Sequence, residues 1–167
     1  MGMNYCMQCG AKLEMRDHKE EGVVPYCPQC GEYRWPVFNT AVSMIVRDEA
    51  LSRILLIRQY GRPFYVLVAG YVNHGEDAED AAAREVCEEL GMTVTSAKFN
   101  HSHYFAPSNT LMLNFTVTVR EAEPHPNSEV DDWAWFSPDE ARQNIKPHSL
   151  AGAFLRGYLD GKYDFEA

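Results

Sequence analysis

Residues 70–92 read GYVNHGEDAEDAAAREVCEELGM, and the middle of this stretch decides what surrounds it. Ala81, Ala82 and Ala83 favour helix, Asp77 stands where a cap can start one, and Gly91 can end it, so the spacing predicts a helix over 78–90. The charges along that helix are uneven. Asp77, Glu79 and Asp80 lie at the amino end, where the helix dipole favours negative charge. Glu85, Glu88 and Glu89 lie in the last turns, where the dipole opposes it, and residues three or four apart share a face, so these carboxylates repel by roughly a few tenths of a kcal/mol per pair. Two readings account for that cost. One is a solvated acidic face partly neutralised by Arg84, four residues before Glu88. The other is a set of oxygen ligands for a hard divalent cation, Mg²⁺ or Mn²⁺. In either case Val86 and Leu90 bury the opposite side of the helix. Gly70 allows a close backbone approach and Gly75 a tight loop. Cys87 is expected to pack as a small apolar side chain rather than to act as a nucleophile.

On either side of the helix the apolar pattern changes period. Alternation predicts strands over 40–46, 53–59 and 65–68 before it and over 94–101, 111–119 and 133–136 after it, with further helices over 138–143 and 149–159. Trp35-Pro36 marks a seam, because Pro36 disfavours helix in the residue before it and the alternation starts immediately afterwards. Two parts are therefore expected, 1–36 and 37–167.

The first part carries Cys6-x2-Cys9 and Cys27-x2-Cys30, a spacing expected of a zinc ribbon. Gly10 and Gly31, each just after a pair, relieve the turn that follows. Four thiolates fill a tetrahedral shell, so the expected Zn²⁺ is structural, with no open position for water. Disulfides are the competing reading, disfavoured in the reducing compartment expected for a chain with no secretory signal. His18 is expected to be a solvated loop residue rather than a ligand. A ribbon this short has too little apolar surface to fold without its metal.

The composition agrees with one domain and a small appendage. The chain has 167 residues, 46% hydrophobic and 23% charged, which excludes collagen-like, low-complexity and wholly disordered chains. A formal charge of −9 disfavours nucleic-acid binding over a broad surface by counterion release. In the ribbon, Lys12, Arg16, Lys19 and Arg34 are offset by Glu14, Asp17, Glu20, Glu21 and Glu32. No apolar stretch approaches the ~18 residues of a membrane span, and no signal-peptide core is present. The expectation is a soluble, cytoplasmic protein with no membrane partner.

Gly70-x5-Glu76-x7-Arg84-Glu85-Val86-x-Glu88-Glu89-x-Gly91-Met92 fills every fixed position of the Nudix box, and the chain resembles the Nudix hydrolases. The resemblance implies an α+β fold, an α/β/α sandwich with a mixed sheet, here preceded by the ribbon. It also implies metal-dependent cleavage of a diphosphate linked to another moiety. By position, Glu85, Glu88 and Glu89 are implied to hold Mg²⁺ or Mn²⁺, Glu85 also to serve as base, and Arg84 to orient a glutamate.

A ribbon directly before such a domain is similar to the layout of the NADH pyrophosphatase group, which cleaves NAD(H) into nicotinamide mononucleotide and AMP. That resemblance implies Glu129 as a fourth metal carboxylate, the Ala69 carbonyl as a metal ligand, Ala151 of Ser149-Leu150-Ala151 as a substrate contact, and a homodimer. Residues 102–112, SHYFAPSNTLM, keep only the leading serine, an aromatic, a proline and the Leu-Met of the group's dinucleotide motif. Tyr104 or Phe105 can still stack on a ring and His103 or Asn109 hydrogen-bond a base, with ordinary packing as the competing reading. The expected substrate is a small-molecule dinucleotide or nucleoside diphosphate, NAD(H) first. ADP-ribose, a sugar nucleotide or an NAD-capped RNA end belong to the same chemistry, and the last is the one nucleic-acid partner expected. From another class comes a non-catalytic nucleotide-sensing or nucleic-acid-binding module, against which the complete glutamate set argues.

Overall fold

The computed structural model describes residues 3–165. The chain divides into two units, one ending at Phe38 and the other starting at Asn39. In the first, β1 (Glu14–His18), β2 (Gly22–Cys27) and β3 (Glu32–Tyr33) form an antiparallel sheet in that order. Its buried apolar residues are Cys6, Val24 and Cys27, far too few to hold a sheet by burial alone. His18 departs from expectation: it ends β1, half-buried, with its ring edge-on to Tyr33 and Trp35 at 5.0 and 5.6 Å. The aromatic side chains that follow in sequence give it a packing surface that a loop position would lack.

The second unit is built on a six-stranded mixed sheet. β4 (Asn39–Asp48) lies at its centre, parallel to β8 (Thr110–Val119) on one side and antiparallel on the other to β5 (Ile54–Gln59) and β6 (Val68–Tyr71). β7 (Val94–Phe105) pairs with β8 and β9 (Val130–Phe136) with β5, both antiparallel. Successive strand residues face opposite sides. Val42, Met44, Val46, Leu55 and Ile57 therefore pack with Ala82, Val86 and Leu90 of α1 (Ala78–Leu90). Ile45, Ile54 and Leu56 pack on the other face with Ala141 of α2 (Pro138–Asn144) and with Phe154 and Leu155 of α3 (Leu150–Asp160). The result is the expected α/β/α sandwich. Among the described residues no helix is long and apolar enough to cross a membrane.

Three local expectations are corrected. The strand predicted over 65–68 lies at Val68–Tyr71, in register with Met44 through Ala41, while Tyr65 and Val66 make only isolated bridges. Ala69 and Gly70 are poor strand formers taken into the sheet by their β4 partner, an override that local propensity does not reveal. Asp77 occupies the N-cap position of α1, yet its side chain makes no capping bond; its carbonyl accepts from Ala81 N at 2.9 Å. Cys87 is exposed rather than packed, because it lies on the solvent side of the face set by Val86 and Leu90.

Candidate active site

Two structures within α1 make its acidic end unusual. The first is the contact with β6. A Cβ on Gly70 would stand 1.9 Å from Glu85 Cδ, so the backbone of β6 runs directly against the Glu85 carboxylate. The second is Arg84, whose guanidinium gathers three box glutamates. Its Nε and Nη2 donate to Glu76 at 2.7 and 3.0 Å, and its Nη1 donates to Glu85 Oε1 at 2.8 Å and to Glu88 Oε2 at 3.0 Å. Nη2 also donates to the Tyr71 carbonyl at 3.0 Å, which ties the helix to β6. Held first by Arg84 and then by the Asn73 amide, Glu76 has its carboxyl pushed down to about 2.

Glu89 is treated differently. It is 4% exposed, against 57% for the Glu88 side chain, and accepts a bond from Gln59 Nε2 at 2.7 Å. Burial, together with the charges of Glu85, Glu129 and Glu88, pushes its carboxyl up to about 8. Glu129 lies near enough to contribute to that field, and its Oε2 accepts from the Tyr60 hydroxyl at 2.8 Å. Negative charge thus accumulates around Glu89, which pairs with no cationic side chain among the described residues, and a divalent ion would satisfy that charge. By residue type, Glu85, Glu88, Glu89 and Glu129 would be hard oxygen ligands for a divalent ion such as Mg²⁺ or Mn²⁺, with the Ala69 carbonyl on β6 as a further candidate. Their carboxylates do not converge on one another as the cysteine sulfurs do, since Arg84 holds two, Gln59 one and Tyr60 the fourth.

A cavity of 210 Å³ is lined by Gln59, by Ala69 and by Ala151, so the last two candidates share one wall system with the residue that reaches Glu89. His103 and Phe105 line a separate cavity of 120 Å³ with Ser149 and Phe165, and the His103 ring stacks on Phe165 at 4.0 Å. Tyr104 alternates to the other face of β7. Its hydroxyl donates to Asn109 Oδ1 at 2.7 Å across the short 3-10 turn Ala106–Ser108, which brings those two candidates to each other. Sequence reasoning missed Gln59 and Tyr60, which sit on and just beyond the end of β5, and gave Glu76 no role. A signal existed for Glu76, a fixed box position eight residues before Arg84; for Gln59 and Tyr60 only the fold supplies it.

In the first unit, Cys6, Cys9, Cys27 and Cys30 place their sulfurs within 4.8 Å of one another, the one such group of three or more metal-binding side chains among the described residues. Sγ of Cys6 lies 3.9 Å from that of Cys30, and Sγ of Cys9 lies 3.5 Å from that of Cys27. A tetrahedral ion with sulfur at about 2.3 Å spaces its ligands at about 3.8 Å, so this pocket has the right size for Zn²⁺. All four are free thiols. Gly10 and Gly31 adopt φ of 74° and 73° and close the turns by donating to the carbonyls of Cys6 and Cys27. Arg34 Nε donates to Cys6 Sγ at 3.3 Å and pushes that thiol down to about 6, while its sulfur neighbours, Cys9 first, push Cys30 up to about 12. Four thiolates can coexist here only with a cation among them.

Comparison with known proteins bears on the family and the fold. A family model described as NUDIX domain matches residues 37–155. The NAD-capped RNA hydrolase NudC of Pseudomonas aeruginosa is 33% identical over 158 residues, 93% of this chain and 55% of that protein. The protein of the same name from Vibrio vulnificus is 28% identical over 95% of this chain and 58% of its own length. The chain thus spans about half the length of the curated relatives it matches. Among solved structures, a NUDIX hydrolase from Nitrosomonas europaea superposes with a TM-score of 0.63 at 19% identity, covering 98% of this chain and 97% of that one. A family model that matches residues 37–155, most of the sequence, means that this chain belongs to the NUDIX domain family.

Proposed function

We propose that the chain is a divalent-metal-dependent pyrophosphohydrolase acting on a nucleoside diphosphate linked to a second moiety, with NAD(H) cleaved to nicotinamide mononucleotide and AMP. The observation that carries this reading is the carboxylate group at the end of α1, partly organised by Arg84 and adjoining the cavity of Ala69 and Ala151 through Gln59. Bound Mg²⁺ or Mn²⁺ would supply positive charge against the diphosphate and acidify water beside it. Glu85 would take the proton of the attacking water. Arg84 holds its Oε1, and its Oε2 has no protein donor among the described residues. Water oxygen bonds to one phosphorus as the bridging P–O bond breaks, and the departing phosphate leaves as an oxyanion. Gln59 keeps Glu89 aimed into the same region. In the first unit a structural Zn²⁺ on Cys6, Cys9, Cys27 and Cys30 would hold the fold rather than take part in the reaction.

An NAD-capped RNA end is the second reading, favoured by the relatives, which carry that activity in their names. Glu85→Gln and Glu89→Gln test the hydrolase itself. Both are expected to lower kcat by 100-fold or more with the fold intact, in a chromatographic assay of NADH, ADP-ribose and NAD-capped RNA with Mg²⁺ or Mn²⁺. Turnover like that of the unaltered protein in both variants would reject the assignment.

A further inference from the structure

A line of side-chain hydrogen bonds lies in the sheet and takes no part in the chemistry above. Ser43 of β4 pairs with Asn114 of β8 on one side and with Ala69 of β6 on the other. Ser43 is 4% exposed and Asn114 fully buried. A buried polar group left unpaired is costly, so the pattern of pairing is informative. The Ser43 carbonyl can only accept. It takes a bond from Asn114 Nδ2 at 3.0 Å, which fixes the end of the Asn114 amide that faces Ser43. The same Nδ2 donates to Ser43 Oγ at 3.4 Å. Asn114 Oδ1 must then face away, where it accepts from Asn100 Nδ2 at 2.9 Å, and Asn100 Oδ1 accepts from Thr116 Oγ1 at 3.0 Å. Every donor in the line points toward Ser43. Its hydroxyl oxygen is used as an acceptor, and its proton meets no acceptor among the described residues.

Ser43 lines the 210 Å³ cavity, whose walls are otherwise largely apolar: Leu67, Met112, Leu150 and Phe154 are among them. Gln59 is the other polar side chain there, and its amide nitrogen is committed to Glu89. One directed donor in an apolar cavity orients a flat ring by its edge, and a partner lacking the acceptor is rejected because the donor is left unpaired. We propose that this cavity is a ring-binding subsite in which the Ser43 hydroxyl donates to an acceptor on the edge of a flat nitrogen-containing ring, with Asn114 and Asn100 as positioning residues. This rests on the dinucleotide hydrolase reading and adds the group that selects the ring. The acceptor is a ring nitrogen or a carboxamide oxygen, and so comes from adenine or from nicotinamide.

Ser43→Ala removes the donor while Asn114 keeps its bond to the carbonyl of residue 43, so the fold is retained. KM for NADH should rise about 3- to 10-fold with kcat nearly unchanged, the effect of one neutral hydrogen bond. Asn100→Ala, away from the cavity, should move the same KM in the same direction by a smaller factor. A parallel rise for NADH, ADP-ribose and diadenosine diphosphate assigns the subsite to adenine; a rise confined to NADH assigns it to nicotinamide. Unchanged KM for all three substrates overturns the subsite. Calorimetric titration with AMP and with nicotinamide mononucleotide reads binding without turnover. Loss of affinity for one mononucleotide in Ser43→Ala, in a protein that cleaves no dinucleotide, keeps the subsite and rejects the hydrolase reading. Full cleavage with both affinities unchanged rejects the subsite alone.

Discussion

Gly70 shows how a single missing side chain shapes the site. The residue is required less by its own conformation than by what lies over it, since a methyl group would fall within 2.3 Å of three atoms of the Glu85 carboxyl. That carboxyl is the far end of a flexible chain, so Gly70→Ala should be accommodated by rotating Glu85 away rather than by unfolding β6. The cost then falls on function. A displacement of about 1 Å in a reacting group can lower a rate about 100-fold, and the variant is expected to lose activity on that scale while its melting temperature hardly moves. Steady-state kinetics beside calorimetry check this; equal activity would mean that Glu85 needs no fixed position. The same reasoning explains why Arg84 was only half legible. Its pairing with Glu88 follows from helical spacing, whereas its grip on Glu76 and on the Tyr71 carbonyl depends on how the loop before α1 folds back.

At the scale of elements, the turn between β4 and β5 is held by one buried carboxylate. Asp48 accepts from Ser52 N, Arg53 N, Ser52 Oγ and Arg53 Nε at 2.8 to 3.0 Å. Burial alone would raise its pKa, but the bonds from Arg53 and Ser52 outweigh that and hold it well below the ordinary carboxylate range. A folded-state pKa depressed in this way adds stability that is fully present above the unfolded value, about 3.9, and is lost as pH falls from there through the lower folded value. Asp48→Asn should therefore destabilise the neutral protein by about 1–3 kcal/mol and make its acid unfolding limb shallower below about pH 4, measured by urea titration across pH. An identical acid limb in the variant would show that Asp48 does not carry it. The helix α1 was legible to its last residue, because three alanines start it strongly and Gly91, at φ 63°, stops it. β6 was not, since Ala69 and Gly70 owe their strand to β4. Nor was the unequal burial of Glu85, Glu88 and Glu89, which share a helix but not a depth.

At the scale of the whole molecule, the two units are stabilised by different physics. The unit from Asn39 buries apolar side chains on both faces of one sheet. The unit ending at Phe38 buries Cys6, Val24 and Cys27, and two of those three are sulfur ligands in waiting. Ion pairs add little there, because Arg16–Glu14 and Arg34–Glu32 are exposed on at least one side. Metal binding to a four-thiolate site supplies about 10–16 kcal/mol at neutral pH, enough to make folding of such a unit conditional on the ion. Treatment with a strong chelator, or Cys27→Ser, should then release one Zn²⁺ per chain and abolish hydrogen-exchange protection over 14–33, while residues of β4, β5 and β8 exchange as slowly as before. Elemental analysis and exchange read by mass spectrometry follow the two units separately. Retained protection in β1 and β2 after the metal has gone would mean that the ribbon's few buried side chains suffice, and loss of protection in β4 would mean that the large sheet also depends on the sulfur-bound ion.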